Sequence, residues 1–329
     1  MSDVIKKYVV LIVLAAVLAV VMMLSVGYGV MEMSWIDIIR TLFSGGDSIE
    51  FQIIYNLRLP RTLLGALVGA ALAVAGVILQ AVMRNPLASP GIIGVSSGAG
   101  LAAVVALMIF PALSGWLIPV AFGGAFITAT AVYLLAWKRG VEPVRLLLAG
   151  VAVSSLLGAM STAIMLFNSE KVAGILDFAI GSLSTRSWPQ LELVAPYIIA
   201  GLAVAVIIAP KLNILGLGDE IAVGLGMNVE RMRLCFIALA ALLAGAAVSV
   251  VGLLGFVGLI APHIVRMIIG GDSKFLIPGA AIFGAVLVVG SDTAGRVVIA
   301  PEELPLGIIM ALLGPPFFLW LLRRRAGEN

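Results

Sequence analysis

Charged residues, cysteine and histidine are scarce in this chain. Only 11% of its 329 residues are charged, and Cys235 and His263 are its single cysteine and single histidine. One cysteine excludes a disulfide within the chain, and one Cys with one His are too few ligands for a Cys/His metal site. Because soluble domains carry about a quarter charged residues, the low charge also excludes an ordinary soluble fold of this length.

Patterns for nucleotide binding and catalysis are missing as well. The phosphate-binding pattern GxxxxGK[ST] does not occur, so the chain does not itself hydrolyse a nucleotide. No HExxH pattern, acid pair or Ser-Lys arrangement lies within an apolar run, which argues against an intramembrane enzyme. The centres of the apolar runs also lack the ionisable residues that bind protons or sodium ions in coupled transporters. We therefore expect a chain that is not an enzyme, has no cofactor of its own and takes its energy from another protein.

Apolar residues make up 62% of the chain and are arranged in long runs. Nearly charge-free intervals extend over Tyr8–Met31, Thr62–Met83, Asn85–Trp137, Leu146–Ser169, Leu193–Pro210, Leu234–Ile264, Phe275–Ser291 and Leu304–Leu322. The third interval breaks at residues 110–115 and gives two spans, and the sixth contains Gly252, Gly255, Gly258 and Pro262, which predicts a helix followed by a shorter broken one. Since about 18 apolar residues suffice to cross the hydrocarbon layer as a helix, the sequence predicts an all-α integral membrane protein with about ten transmembrane helices in a single domain over residues 1–329.

The distribution of lysine and arginine predicts the orientation of these helices. With the N-terminal lysines inside and about ten crossings, most basic residues lie in cytoplasmic loops, as the positive-inside rule requires. Both termini then lie in the cytoplasm, and the net charge of +3 reflects orientation and not nucleic-acid binding. Arg58, Arg61 and Arg296 lie outside, against this trend.

Residues 69–76 and 245–252 are similar to each other. Both segments begin and end with glycine and consist of small, mostly apolar residues. On the predicted topology their two helices run in opposite directions, which is the relation that an inverted repeat requires.

Several longer stretches together resemble a known family over nearly the whole chain. They include Leu57-Arg58-Leu59-Pro60-Arg61-Thr62, Arg84-Asn85-Pro86-Leu87-Ala88, Gly255-Phe256-Val257-Gly258-Leu259-Ile260-Ala261-Pro262-His263 and Leu304-Pro305-Leu306-Gly307. With these the chain resembles the FecCD-type permease family of ATP-binding-cassette (ABC) importers for iron-siderophores, haem and vitamin B12. The resemblance implies the permease fold of the vitamin B12 importer, a type II ABC importer, and translocation of an iron-siderophore complex. Import of haem or vitamin B12 is the alternative within the family, and an ion-coupled secondary transporter is the alternative outside it.

The same resemblance implies the partners and the cellular location. The partners are two ABC ATPase subunits that carry ATP and Mg, an extracytoplasmic substrate-binding protein, and a second permease copy or homologue. The location is the inner (cytoplasmic) membrane of a bacterium, with the chain crossing the lipid bilayer many times.

A short cytoplasmic segment between two predicted helices carries apolar residues between glycines. A solvated linker has no reason to expose such residues, whereas a docking helix would bury them in the groove of a partner. The resemblance implies that the segment at about 213–230 contains the coupling helix seated on the ATPase. The residues assigned to ATPase coupling are Asp219, Glu220, Ile221, Ala222, Gly224, Leu225, Gly226 and Met227.

Arg58, Arg61 and Arg296 have two interpretations. Each could be an anchor whose charged end reaches the membrane surface. The resemblance implies instead that they receive acidic residues of the substrate-binding protein, and arginine is well suited to pairing with carboxylates. Asp292 lies four residues before Arg296, a spacing at which a helix allows an ion pair. We therefore expect Arg58 and Arg61 to be freer than Arg296.

Asn85, Pro86 and Leu87 follow the second predicted helix. The pattern alone predicts a turn, stabilised by proline, that ends a helix. The resemblance implies that the same loop lies at the cytoplasmic mouth of the transport pathway, with Asn85 and Leu87 at a constriction. The two interpretations are compatible.

Overall fold

A computed structural model describes residues 3–29, 48–137 and 143–326, and these residues form twelve helices. In chain order they are α1 (Asp3–Gly27), α2 (Ile49–Val82), α3 (Val95–Ile109), α4 (Leu117–Ala136), α5 (Pro143–Phe167), α6 (Leu176–Ile180), α7 (Trp188–Gly216), α8 (Asp219–Gly224), α9 (Val229–Val251), α10 (Val257–Ile269), α11 (Ser273–Val297) and α12 (Leu306–Ala326). Helix α2 contains a π-helical turn over Gln52–Arg58, and short 3-10 turns cover Pro90–Ile93, Pro111–Trp116 and Ser169–Ile175.

The number of apolar helices agrees with the prediction. Seven of the described helices are long and apolar enough to cross a membrane, and α3, α10 and the Leu306–Leu319 part of α12 are shorter apolar helices. Together they give ten, while α6 and α8 are short helices between them. The predicted all-α membrane architecture is therefore confirmed.

The apolar helices alternate in direction between two ends of the bundle, which we call the Asp219 end and the Arg61 end. Helix α1 begins at the Asp219 end, where Tyr8 packs edge-on against Phe275 at the start of α11. Helix α12 begins at the Arg61 end, where the Gly307 amide donates to the carbonyl of Gly181. Because α12 runs back towards the Asp219 end, the two ends of the described chain lie on the same side.

Helix α2 lies at the centre of the bundle and packs against α7, α9, α10 and α11. Glycines allow two of these contacts, since a Cβ at Gly69 would collide with the backbone of Gly284 and a Cβ at Gly76 with that of Gly258. Small residues let helix backbones approach closely in this way. Helices α2 and α9, which carry the two similar glycine-bounded segments, run in opposite directions as predicted.

The helices extend beyond the charge-free intervals. Helix α7 covers Trp188–Gly216 and not only residues 193–210, because its polar ends continue the helix and Pro196 and Pro210 are accommodated inside it. The segment between α7 and α9 therefore spans residues 217–228, which is shorter than the predicted 213–230. The predicted end of the first helix at Met31 lies outside the described residues.

Helix α9 ends at Gly252, the first of the glycines in the predicted break, and the shorter helix α10 follows it as predicted. Gly252 has φ +83°, and the backbone of Phe178 leaves no room for a side chain there. The Leu253 amide then donates to the carbonyl of Phe178 over 2.9 Å. Pro262 and His263 lie inside α10, so the predicted helix break beside His263 is wrong.

Candidate functional site

The three predicted docking arginines come together at the Arg61 end. They line one cavity of about 310 Å³, which is bounded by Gly29, Ile53, Leu57, Arg58, Arg61, Ser184, Arg296 and Glu303. Arg58 is the last residue of the π-helical turn of α2 and Arg61 lies three residues further along, whereas Arg296 lies in the last turn of α11. Arg296 lies more than 200 positions after Arg58 and Arg61 in the sequence, and the packing of α2 on α11 brings the three arginines together.

Arg61 is held by two acidic residues of the same chain. Its guanidinium contacts Asp292 at 2.9 Å and Glu303 at 2.8 Å. Asp292 also contacts Arg296 at 3.3 Å, as their spacing of four residues predicts. The expectation that Arg61 is freer than Arg296 is wrong, because Asp292 lies between the two guanidinium groups and pairs with both.

Arg58 and Arg296 also bind the end of helix α1. Arg58 donates to the carbonyls of Val26 and Gly27 at 2.9 and 3.0 Å. Arg296 donates to the hydroxyl of Ser25 at 2.8 Å. Arg58, Arg61 and Arg296 are all buried, with 7%, 9% and 3% of their surface exposed. The arginines therefore join α1, α2 and α11 as well as lining the cavity.

Sequence reasoning did not assign Glu303 to this site. Glu303 lies in the connection between α11 and α12, 242 positions from its partner Arg61. No spacing rule for helices relates two residues so far apart. The available signal was a pair of adjacent acids, Glu302 and Glu303, directly before the Leu304-Pro305-Leu306-Gly307 motif.

The predicted coupling segment forms a separate short helix at the Asp219 end. Helix α8 covers only residues 219–224 and lies between Gly218 with φ +119° and Gly226 with φ +78°, backbone conformations that favour glycine. Three apolar side chains of this segment are more than half exposed, namely Ile221, Val223 and Leu225. Among the other assigned residues, Glu220, Gly224 and Gly226 are exposed, and Asp219 and Met227 are half-buried.

Ala222 faces the body of its own chain. It is 0% exposed, so the expectation that it is presented to a partner together with its apolar neighbours is wrong. A single helical turn has two sides, and the side that carries Ala222 packs on α7 and α9 while the opposite side is open.

Asp219 joins α8 to two other elements. Its carboxylate pairs with Arg84, at the end of α2, and with Arg233, in the second turn of α9, at 2.9 Å. The Arg233 side chain is 5% exposed and the Arg84 side chain is 41% exposed. The first residue of the predicted coupling helix is therefore also the residue that connects it to the rest of the chain.

The loop of Asn85, Pro86 and Leu87 directly follows Arg84. The side-chain oxygen of Asn85 accepts a hydrogen bond of 2.9 Å from the Leu87 amide, which forms the predicted turn. Asn85 and Pro86 line a cavity of about 530 Å³ at the Asp219 end. Leu87 is half exposed and does not line this cavity.

The far wall of the 530 Å³ cavity is formed where α7 ends and α11 begins. Asp272 precedes α11 and accepts hydrogen bonds from the Asn213 side chain at 2.7 Å and from the Lys274 amide at 3.0 Å. Although burial alone would raise the pKa of Asp272, these hydrogen bonds hold its pKa below the ordinary value. Asp272 thus stays ionised and fixes this wall of the cavity.

Comparisons with known proteins identify, over almost the full length of the chain, the same family that the sequence motifs resemble. The pattern of the FecCD transport family matches residues 17–324. The Fe(3+)-citrate import system permease protein YfmE of Bacillus subtilis (strain 168) is 42% identical over 97% of this chain and 96% of its own length. The hemin transport system permease protein HmuU of Yersinia pestis is 39% identical over 93% of this chain and 92% of its own length.

A solved structure has the same fold. It is an inward-facing conformation of a metal-chelate type ABC transporter, with a TM-score of 0.84 and 29% sequence identity, and the similarity covers 95% of this chain and 98% of the other. The architecture of helices described above is therefore that of an ABC transporter permease.

Proposed function

The chain belongs to the FecCD transport family, and we propose from this premise that it is the membrane-spanning permease subunit of an ABC importer for an iron-siderophore or similar ferric chelate. It is a transport subunit and not an enzyme. The observation that carries the proposal is the match to importer permeases along nearly the whole chain, together with the fold shared with a metal-chelate transporter. ATP and Mg bind to the ATPase subunits, since the chain has no phosphate-binding loop.

The class of cargo is supported by the relatives. YfmE is a permease of an Fe(3+)-citrate import system, so a ferric chelate with small carboxylate ligands is the first cargo to test. HmuU belongs to a hemin system and BtuC of Halobacterium salinarum to a cobalamin system, which makes haem and vitamin B12 the alternatives.

The ATPase is proposed to dock on α8. The open side of this helix presents Ile221, Val223 and Leu225, and burial in a groove of the ATPase would remove these side chains from water. Asp219, Glu220, Gly224, Gly226 and Met227 surround the apolar residues, while Ala222 supports the helix from behind. The loop of Asn85, Pro86 and Leu87 lies beside it as the proposed mouth of the pathway.

The substrate-binding protein is proposed to dock at the opposite end, over the cavity lined by Arg58, Arg61 and Arg296. A carboxylate of the binding protein would compete with Glu303, the more exposed of the two acids that hold Arg61. Asp292 is buried and would stay in place. This arrangement suits an electrostatic docking surface whose occupancy falls as salt concentration rises.

The permease is proposed to work as a pair with a second copy or a homologue. Helix α5 supports this, because only Leu146 and Gly150 are buried among its residues, although the helix carries hydroxyls at Ser154, Ser155, Ser161 and Thr162. Such a helix is better placed against a partner or a water-filled pathway than against lipid tails. We further propose that residues 1–329 form one domain in the bacterial inner membrane, with the Asp219 end and both termini in the cytoplasm.

The test is uptake of radiolabelled cargo by liposomes that contain the permease with its ATPase and binding protein. Ferric citrate, a ferric hydroxamate siderophore, haemin and cobalamin are compared with and without ATP inside. ATP-dependent uptake of one ferric chelate would support the proposal, and uptake of haemin or cobalamin alone would assign the alternative cargo. Uptake that needs no ATP but follows an ion gradient would contradict the importer assignment.

Docking of the ATPase is tested by co-purification with the permease. We expect Ile221→Asp to abolish co-purification, because it places a charge in the centre of the apolar surface. The matched control is Ile49→Asp, which changes another exposed isoleucine (71%, against 52% for Ile221) at the Arg61 end. Equal recovery of ATPase with both variants would contradict the proposed role of α8.

A further inference from the structure

The carboxylate of Asp219 lies where three separate elements meet at the Asp219 end. Its Oδ1 accepts hydrogen bonds from Nη2 of Arg84 and from Nη2 of Arg233, and its Oδ2 accepts a second bond from Arg233 at 3.0 Å. One side chain therefore connects α8 with the end of α2 and with buried Arg233 in the second turn of α9.

The two ion pairs differ in their surroundings. Arg233 is almost fully buried, so its pair with Asp219 is costly to break and anchors α8 on α9. Arg84 is about as exposed as Asp219 itself, and ion pairs in such positions contribute at most about 1 kcal/mol to stability. The Arg233 pair therefore fixes α8 on α9, and the Arg84 pair is the weaker contact of α8 with the end of α2.

Glycines and an open space lie around the contact of Asp219 with Arg84. Gly218 and Gly226 flank α8, and both adopt backbone conformations with positive φ. The cavity of about 530 Å³ lies between the end of α7, at Gly216 and Leu217, and the loop that begins at Arg84. Arg84, the partner of Asp219, therefore lies on the wall of an open space and not in the packed core.

Arg84 is also the residue that leads into the proposed mouth of the pathway. It adopts a left-handed conformation, φ +47°, at the point where α2 ends, and Asn85 follows directly. A pull on the Arg84 side chain would therefore act on the residue where the backbone turns into the Asn85–Leu87 loop.

We infer that Asp219 and Arg84 form the link that transmits motion of the ATPase-bound helix α8 to the loop of Asn85, Pro86 and Leu87. The inference rests on the proposed function, since it assumes that α8 docks on an ATPase and that the loop borders the pathway. Asp219 and Arg84 act as positioning residues, and neither contacts the cargo.

The test separates transport from ATP hydrolysis in the liposomes described above. Arg84→Gln removes the exposed contact and leaves the Asp219–Arg233 pair and the apolar side of α8 intact. Because an exposed ion pair contributes at most about 1 kcal/mol, which corresponds to about a fivefold effect, we expect ferric-chelate uptake to fall about fivefold while ATP hydrolysis stays within about twofold of wild type. Arg84→Lys keeps the charge and should restore part of the uptake.

The matched control is Arg231→Gln, which removes an exposed arginine near the start of α9. It should leave uptake and hydrolysis unchanged. A parallel loss of uptake and hydrolysis in Arg84→Gln would overturn the inference, since it would indicate lost assembly and not lost transmission. Normal uptake in Arg84→Gln would overturn it as well.

A second readout follows the loop directly. Leu87→Cys is introduced into a Cys235→Ala background, and the rate of maleimide labelling is measured with and without ATP and vanadate. In the otherwise wild-type protein the nucleotide should change the labelling rate, and Arg84→Gln should remove this change. A nucleotide-dependent rate that persists in Arg84→Gln would refute the link.

These outcomes distinguish the inference from the proposed function. If the wild-type complex shows no ATP-dependent uptake of any chelate, the importer assignment fails and this inference fails with it. If the wild type transports and Arg84→Gln transports equally well, only the inference fails.

Discussion

At Asp292, one buried carboxylate faces two buried guanidinium groups. Arg61 and Arg296 approach it from different helices, and Glu303 adds a second negative charge on Arg61. Like charges this close would repel each other without the carboxylates between them. The network therefore holds α2 and α11 together at the end where the binding protein is proposed to dock.

We expect Asp292→Asn to destabilise the permease strongly. Removing one partner of a buried charge network leaves the others uncompensated and costs about 3 to 5 kcal/mol. Thermal unfolding in detergent, followed by intrinsic fluorescence, measures the loss. Glu302→Gln is the control, because Glu302 is exposed and its substitution should change stability by less than about 0.5 kcal/mol. Equal melting temperatures for the two variants would show that the network does not stabilise the fold.

At the scale of elements, the close contacts of α2 with α10 and α11 depend on glycines, because residues without a side chain let the helix backbones approach each other. Gly76 meets the backbone of Gly258 in α10, and Gly69 meets that of Gly284 in α11. Without a driving force from water, close packing of small residues is a main source of association between membrane helices. Helix α10 can therefore lie this close to α2 only if position 76 has no side chain.

We predict that Gly76→Ala lowers the melting temperature, because the added methyl group has to push α2 and α10 apart, and overpacking of this kind costs about 1 to 3 kcal/mol. Gly123→Ala in α4 is the matched control, since nothing lies within 4 Å of the new methyl group. Alanine favours a helix over glycine by about 0.5 to 1 kcal/mol, so the control should be neutral or slightly stabilised. The same loss of stability in both variants would contradict the packing argument.

The short helix α8 shows what a segment's own sequence can indicate and what it cannot. Its apolar residues between glycines correctly indicated a helix with an exposed apolar side. The pattern did not separate Ala222 from Ile221 and Val223, because a single turn has no periodicity from which an inner side can be read. That assignment depends on α7 and α9, which cover one side of the turn.

For the whole molecule, the described helices place the first and last described residues on one side of the bundle. Ten alternating apolar helices and the excess of basic residues in the predicted cytoplasmic loops agree on this arrangement. The proposal that this side faces the cytoplasm can be tested without any partner protein.

We expect a green fluorescent protein fused to the C-terminus to be fluorescent in bacterial cells, because it folds in the cytoplasm. Alkaline phosphatase fused after Lys171, in the connection between α5 and α6, should be active because it is exported. The reciprocal fusions, with the two reporters exchanged, should both be inactive. Activity of the exchanged pair would reverse the orientation, and an active phosphatase at both positions would mean an even number of crossings between Lys171 and the C-terminus instead of the five that α7, α9, α10, α11 and α12 provide.

The sequence by itself determined the class of the protein and the number and approximate positions of its helices. Long apolar runs must form helices in a membrane, since each segment has to satisfy its own backbone hydrogen bonds there. The motifs around Arg58, Asn85 and Asp219 also predicted which parts of the chain bear on function, because those residues are polar or charged beside apolar runs.

Only the tertiary structure decided which of these residues meet. Arg61 pairs with Asp292 and Glu303, and Asp219 pairs with Arg84, across separations of 231, 242 and 135 positions. Such pairs are set by how helices pack, and packing depends on the shapes of many side chains at once, whereas helix formation depends on hydrogen bonds between residues four apart. A local pattern can therefore predict each helix, but it cannot predict the charge networks that join them.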